Sequence, residues 1–178
     1  IGYSALSTED ANGRNIAIGY FALNAQNAGA DAYNVAIGFK AGENVSTGTA
    51  NTIIGGLAGD ALTTGIHNTV VGYGALTNED EHGRNIAIGW KALESLNAGS
   101  DAYNVAIGFG SGRAITTGAS NVAVGSYALQ ATTTANSNTT VGDVSLTANT
   151  TGAENTAFGK GALNANTTAS SNTAVGMN

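Results

Sequence analysis

The chain contains no cysteine and no proline, and only six of its 178 residues are Lys or Arg. Without cysteine, disulfide bonds and thiolate chemistry are excluded. A net charge of −6, with no basic stripe, argues against a nucleic-acid partner. No apolar run approaches the roughly 20 residues of a membrane span, so we expect no membrane contact in this segment.

Large apolar side chains are scarce as well. Hydrophobic residues make up 42% of the chain, but 32 of them are alanine. A compact globular domain of this length normally buries more side-chain volume. The 26 glycines, without proline, instead fit a chain that turns tightly at many points and keeps its backbone N–H groups for a hydrogen-bond ladder.

A pentapeptide of the type N-V-A-I-G, as found at Asn34–Gly38, occurs ten times along the chain. Adjacent copies are 17 residues apart in seven cases and 19 residues apart in two, after Asn15 and after Asn85. A truncated copy opens the chain at Ile1–Gly2. Self-similarity at a fixed short period is typical of a solenoid. The ten copies begin at Asn15, Asn34, Asn51, Asn68, Asn85, Asn104, Asn121, Asn138, Asn155 and Asn172.

Numbering each copy from its Asn aligns the copies in columns. Column one is always Asn and column five is always Gly. Asn side chains can hydrogen-bond up a stack, and Gly permits a positive φ or a close backbone approach. We therefore expect a structural ladder of corner residues, represented by Asn34, Gly38, Asn51, Gly55, Asn68, Gly72, Asn104 and Gly108.

Columns one to five predict a five-residue strand, because the β-branched column two and the bulky column four alternate with a third column that is mostly Ala. We expect the bulky column four, for example Ile107, to point into the coil, and a second short strand to follow the corner. Column eight is always Ala or Ser, which indicates close packing, and we expect the alanine columns to form a smooth face for another chain. A helix in segments such as Ala92–Leu96 is the alternative, although no apolar 3.6-residue period persists there.

Columns nine and twelve vary together. Column nine is Leu in most copies, and column twelve is then usually polar. Where column nine is Gly, column twelve is large and apolar, and Leu93 with Leu96 is an exception in which both are large. Because close packing penalises both voids and surplus volume, we expect the two columns to fill one shared space in a closed coil. The compensating pairs are Gly42/Val45, Gly59/Leu62 and Gly112/Ile115.

These patterns predict an all-β protein, a parallel β-solenoid (β-roll or β-helix) of 17- to 19-residue coils. Residues 1–178 form a single elongated repeat domain, with nine full coils at 15–171 and partial coils at 1–14 and 172–178. We interpret the chain as a segment of a longer protein. Each coil offers few large apolar side chains and solenoid ends need covering, so we expect a homo-oligomer, most simply an intertwined or side-by-side homotrimeric fibre.

The pentapeptides N-V-A-I-G and N-T-A-V-G, followed by Ala-Leu, resemble the head repeats of trimeric autotransporter adhesins. The longer spacing and connectors such as Asn149–Gly152 resemble phage tail-fibre repeats more closely, and the resemblance covers all 178 residues. It implies a trimeric, extracellular fibre segment of a virion tail fibre that supports host-receptor attachment. The alternative it implies is the head or stalk of a bacterial surface adhesin. Either would bring the fibre to a cell-surface glycan or protein receptor.

Column six is the candidate contact with a glycan. An aromatic stripe on a rod can stack against sugar rings, because an aromatic face is both apolar and rigid. A structural ladder that covers the second strand is the alternative. The column reads Ser126, Asp143 and Lys160 in later copies, and its main aromatic members are Tyr20, Phe39, Tyr73, Trp90 and Phe109.

Catalytic chemistry has little support. His67 and His82 fall in different columns, and neither has a recurring Ser or carboxylate at triad-like spacing. We therefore predict no enzyme activity, no catalytic or cofactor-binding residue and no cofactor. The acidic turns Glu9–Asp10 and Glu79–Glu81 are weak candidates for cation ligands; we interpret them as solvated charge and predict no metal site. Stacked Thr pairs such as Thr63–Thr64 are a minor candidate for ice binding.

Overall fold

The computed structural model describes residues 1–9 and 13–178 of the chain. Ten three-residue strands stack in chain order into one parallel sheet, which confirms the predicted β-solenoid. No residue in the described ranges lies in a helix long and apolar enough to cross a membrane. The strands are β1 (Ile16–Ile18), β2 (Val35–Ile37), β3 (Thr52–Ile54), β4 (Thr69–Val71), β5 (Ile86–Ile88), β6 (Val105–Ile107), β7 (Val122–Val124), β8 (Thr139–Val141), β9 (Thr156–Phe158) and β10 (Thr173–Val175).

Each strand pairs with the next in the same register, so that every column of the repeat becomes a straight row along the solenoid. The two 19-residue coils keep this register, because Ile16 pairs with Val35 and Ile86 pairs with Val105. Their extra residues are accommodated in the connector before the next strand. Gly29 and Gly99 lie there with φ of 67° and 66°, and a Cβ on either would meet no atom within 4 Å. Both insertions therefore bulge into solvent from the same place in the coil.

The strands are shorter than the five-residue pentapeptide, and the expected second strand is absent from the described part of every coil. Columns six to eleven form turns instead. The turns contain left-handed residues in columns seven and nine, for example Lys40 with φ 56° and Leu76 with φ 51°. A residue in this conformation cannot continue a β-strand. Each coil therefore consists of one short strand followed by a chain of tight turns.

Our expectation for the direction of column four is wrong in the single chain. Ala36 and Ala106 of column three are fully buried, whereas Ile107 of column four is 37% exposed. Successive side chains of a strand point to opposite faces, so columns two and four share the outer face once column three points inward. The interior is narrow, and the small third column leaves room for the turns that pack across from the sheet.

The alanines of columns three and eight line the interior rather than an outer face. Ala22, Ala41 and Ala58 of column eight are fully buried in the same cluster as Ala36 and Ala106. The prediction that alanine columns offer a face to another chain is therefore wrong. Their small side chains serve the close approach of the sheet and the turns within one coil.

Columns nine and twelve occupy one volume inside the coil, as expected. A Cβ on Gly59 would lie 2.9 Å from Cδ1 of Leu62, and a Cβ on Gly112 would lie 3.1 Å from Cδ1 of Ile115. The exceptional Leu93 places its Cδ2 3.0 Å from that same Cβ position of Gly112. Leu93 therefore uses space that the glycine of the following coil leaves free.

The column-one asparagines form a continuous buried ladder at the start of the strands. The Oδ1 of each Asn accepts a hydrogen bond from the backbone N–H of the next Asn, at 2.8 to 3.1 Å. The Nδ2 of Asn51 donates across the coil to the carbonyl of Gly65 at 2.8 Å, and the same bond recurs in most coils. These bonds satisfy buried backbone groups and close the coil. The ladder includes Asn34, Asn51, Asn68 and Asn104.

The column-five glycines end the strands and are needed there for two reasons. Gly38 has a φ of 143°, which side chains with a Cβ rarely adopt. A Cβ on Gly38 would also lie 2.4 Å from the carbonyl oxygen of Gly55 in the next coil. Coils can therefore stack at strand spacing only if this row is glycine. The same arrangement holds at Gly55, Gly72 and Gly108.

Candidate interaction surface

The outer face of the sheet carries a strip of mostly apolar side chains, those of columns two and four on β1–β10, which we call the apolar strip. Column two is Thr in five of the ten strands. No charged residue occupies either column. With strands about 4.8 Å apart, the strip runs for about 45 Å along the solenoid. Monomeric proteins rarely expose contiguous apolar patches larger than a few hundred Å², so this strip is the candidate interaction surface. Its most exposed members include Ile16, Ile18, Ile37, Ile54, Ile86, Ile107, Phe158 and Val175.

The aromatic side chains of column six lie two positions further along each coil and are also accessible. Tyr20, Phe39, Tyr73 and Phe109 are exposed, and Trp90 is half-buried. They project from the turns. They do not cover a second strand, because columns six to eleven of the described coils form turns. The side chains of column six therefore form a surface feature of the solenoid.

The structure divides this column into two stacks. The rings of Tyr20 and Phe39 stack at 5.5 Å and 11°, and those of Trp90 and Phe109 stack at 4.4 Å and 13°. Gly56 interrupts the column, and the ring of Tyr73 packs within 3.4 Å of where its Cβ would lie. Within each stack the ring faces cover one another. Flat ring faces are therefore available to a ligand only at the ends of the stacks.

A charged cluster surrounds Trp90. The Lys91 ammonium and the Arg113 guanidinium lie 5.1 and 5.4 Å from the centre of the indole ring. Each also lies 2.6 Å from a carboxylate oxygen of Glu94. Burial by itself raises the pKa of Glu94, but the hydrogen bonds from Lys91 and Arg113 outweigh it and hold the pKa below its ordinary value. Glu94 is thus a paired carboxylate that orients two cations over an aromatic ring.

Asp60 is a second perturbed carboxyl group. Burial raises its pKa above the ordinary value, and the neighbouring Glu43 carboxylate adds to this effect, while backbone hydrogen bonds and Lys40 oppose it. Its Oδ1 is buried and has no hydrogen-bond partner in the described part of the chain.

The acidic turns differ from our expectation of solvated charge. Glu79 is fully buried, and Asp80 and His82 lie beside it. Asp10 lies outside the described residues, and the Glu9 carboxylate accepts a hydrogen bond from Nδ2 of Asn15 at 2.9 Å. The interpretation is therefore wrong for Glu79. The sequence signal was its place in column twelve, which is buried in eight of the nine full coils.

The Thr pairs have divided roles. Oγ1 of Thr63 donates to the carbonyl of Asp80 at 2.7 Å, and Oγ1 of Thr116 donates to that of Thr133 at 3.2 Å. The second residue of each pair, for example Thr117, is exposed. Before the last coil, only one row of these Thr pairs is therefore exposed, and it lies in the connectors outside the sheet.

Comparisons with protein-family models, with curated proteins and with solved structures found no match. The chemistry of the surface is therefore the basis for a functional proposal. Along one rod it offers an uncharged apolar strip and a row of exposed aromatic residues. Both are features that binding surfaces commonly show.

Proposed function

We propose that this chain is a structural segment of a homotrimeric attachment fibre of the phage tail-fibre type, which holds a receptor-binding tip away from the particle. The observation that carries the proposal is the apolar strip on the outer face of all ten strands. A rod that exposes such a strip along its whole described length needs a partner of matching length.

A second copy of the chain fits this requirement. An identical chain has the same rise per coil, so its apolar side chains meet the strip at the same period over the entire rod. Three copies around one axis bury all three strips at once and form a closed, symmetric assembly. Two copies packed face to face would also bury both strips, but they would not enclose them on all sides. The ion pair of Arg14 with Asp31 and that of Arg84 with Asp101 lie in the connectors, outside columns two and four, and stay at the outside of such an assembly.

The alternative function is the head of a bacterial surface adhesin that binds its receptor directly. The exposed aromatic row favours this alternative, because an exposed ring at the end of a stack, such as Phe39 with the Lys40 ammonium 5.9 Å from its centre, can receive a sugar ring. A glycan array probed with the 178-residue chain separates the two functions. Binding that Phe39→Ala abolishes supports the adhesin, whereas a purely structural segment binds no glycan.

Immunogold electron microscopy tests the proposed role. Antibodies raised against the 178-residue chain should decorate the shaft of a fibre on phage particles from cultures that produce the protein. Labelling of the bacterial cell surface would instead support the adhesin. Labelling confined to the cell interior would contradict both functions.

A further inference from the structure

One turn of the solenoid brings three metal-ligating side chains together. Glu79, Asp80 and His82 each offer a ligand atom, and these atoms lie within 4.8 Å of one another. Two carboxylates and one imidazole are donor groups that bind first-row transition-metal ions. The cluster lies in the connector between β4 and β5, outside columns two, four and six.

Glu79 is a fully buried carboxylate in the interior of the coil. Its Oε1 accepts the backbone N–H of His82 at 3.2 Å, and its Oε2 accepts that of Ala98 in the following coil at 3.3 Å. These two bonds orient the group but supply no positive charge. Burial of an ionised carboxylate is costly unless a cation compensates it. In the other eight full coils the same column carries uncharged residues, and only the partial first coil repeats the carboxylate, as Glu9. The uncharged residues are Gln26, Val45, Leu62, Leu96, Ile115, Thr132, Asn149 and Asn166.

His82 directs an unpartnered nitrogen at this carboxylate. Its Nδ1 is shielded from solvent and has no hydrogen-bond partner in the described part of the chain, although the side chain as a whole is 26% exposed. Nδ1 lies 3.6 Å from Oε1 of Glu79, which is too long for a hydrogen bond. Two ligands of one tetrahedral ion, each about 2.0–2.1 Å from it, lie about 3.3 Å apart. The observed separation thus fits two ligands of one ion with little movement.

We propose that Glu79, Asp80 and His82 bind a divalent transition-metal ion, with Zn²⁺ as the reference ion. The mixed nitrogen and oxygen donors favour Zn²⁺ or Co²⁺ over Ca²⁺, which takes six to eight oxygen ligands. The partly exposed imidazole edge gives the ion access to the site and leaves a position for water. Bound there, the ion neutralises the buried carboxylate, which also contacts the following coil through Ala98.

An internal comparison limits the site to one per chain. The sequence pattern recurs 70 residues earlier, where Glu9 and Asp10 correspond to Glu79 and Asp80. The position of His82 is occupied there by Asn12. His82→Asn therefore gives the turn that follows Glu79 the residue found in the equivalent turn after Glu9. His67→Asn is the matched control, because it removes the chain's other histidine at an exposed position with a φ of 58°, which Asn accepts well.

Metal titration of the chelator-treated 178-residue chain tests the site. Zn²⁺ should bind by calorimetry with one equivalent per chain and should raise the melting temperature, and Co²⁺ should give a visible ligand-field spectrum. His82→Asn should weaken binding by more than about tenfold, the loss that even supporting groups around a metal cause, while His67→Asn should bind like the unmodified chain.

Two results would overturn the proposal: no Zn²⁺ binding at millimolar concentration, or equal binding by the unmodified chain and His82→Asn. Circular dichroism establishes that each variant is folded. If His82→Asn were unfolded, Asp80→Asn would replace it, because Asp80 is partly exposed and contributes the third ligand. Unchanged affinity and spectrum in Asp80→Asn would then reject the three-ligand site.

Discussion

At the scale of single residues, the coil depends on left-handed backbone conformations at positions that are often not glycine. Such residues occur in columns seven and nine and directly before the column-one Asn, for example Leu57 at φ 55°, Leu93 at φ 51° and Ala50 at φ 57°. Each costs roughly 1–2 kcal/mol in a residue with a Cβ. Hydrogen bonds between stacked coils hold them, as in the bond from the N–H of Ala50 to the carbonyl of Ala32 at 2.7 Å.

Opposite exchanges of Gly and Ala test this backbone account. Ala50→Gly should stabilise the protein by up to about 1 kcal/mol, because it relieves the left-handed strain at an exposed position. Gly38→Ala should destabilise it by more than about 2 kcal/mol, because φ is unsuitable and the methyl group meets the Gly55 carbonyl. Denaturant unfolding of both variants measures the difference. Equal destabilisation by the two exchanges would contradict the account.

Asp60 gives a prediction about pH. Because its pKa is raised in the folded state, its contribution to stability is fully present below its pKa in the unfolded chain and is lost as the pH rises through the folded value. Asp60→Asn should therefore raise the melting temperature at pH 7, and the gain should shrink as the pH falls towards about 3. Thermal melts across this range measure it.

Glu81→Gln is the control for Asp60→Asn, because it also replaces one carboxyl group by an amide but does so at an exposed side chain. It should change the melting temperature little at either pH. A lower melting temperature for Asp60→Asn at pH 7 would show that the carboxylate stabilises the coil, contrary to our interpretation.

At the scale of the coil, the sequence was sufficient to predict the period, the place of the first strand and the shared volume of columns nine and twelve, but not the turns that replace the expected second strand. The prediction that column four of the strand points into the coil was wrong. Alternation fixes that columns two and four share a face, but not which face the turns cover. Ala36 and Ala41 point inward because the coil is thin, and the bulky residue Ile37 is left outside. The small size of two inward columns is itself the signal of a narrow interior.

A double exchange in one coil tests the shared volume. Gly59→Leu alone should cost about 1–3 kcal/mol through overpacking against Leu62. Leu62→Asn alone should cost at least as much, because it leaves a void and buries an amide. Together they reproduce the natural pair Leu146 and Asn149, in which Nδ2 of Asn149 donates to the carbonyl of Gly152 at 2.8 Å.

The double variant should therefore lose less stability than the two single losses added together, by about 1 kcal/mol or more. Recovery should be incomplete, because Ile53 also fills this space and lies 3.6 Å from the Cβ position of Gly59. Melting curves of the four proteins, measured under one condition, give the coupling. Additive losses would show that the two columns act independently.

At the scale of the whole molecule, the stacking of the coils into a solenoid was predictable from the sequence. The arrangement of side chains on the surface was predictable only in part. The aromatic column was recognisable from its period, but its division into two stacks follows from the packing of Tyr73 over Gly56. The cluster at Glu79 and His82 was missed because the two residues fall in different columns. Only the turn between them brings their side chains together, and no column-by-column comparison contains that turn geometry.

The proposed trimer predicts that a charge placed in the apolar strip prevents the chains from associating. Ile107→Asp should leave the single coil folded, because the side chain already points outward, yet it should place a carboxylate in the middle of the apolar strip. Burial of that charge between chains is unfavourable without a cation, so association should be lost. Thr117→Asp adds the same charge at an exposed position outside the strip and should leave association unchanged.

Sedimentation equilibrium of the 178-residue chain tests the proposed fibre most directly. The account predicts a particle of three times the 17.5 kDa chain mass, retained in Thr117→Asp and reduced to single chains in Ile107→Asp, with β-rich circular dichroism in all three proteins. A folded monomer at every concentration, or an assembly that Ile107→Asp leaves intact, would contradict it.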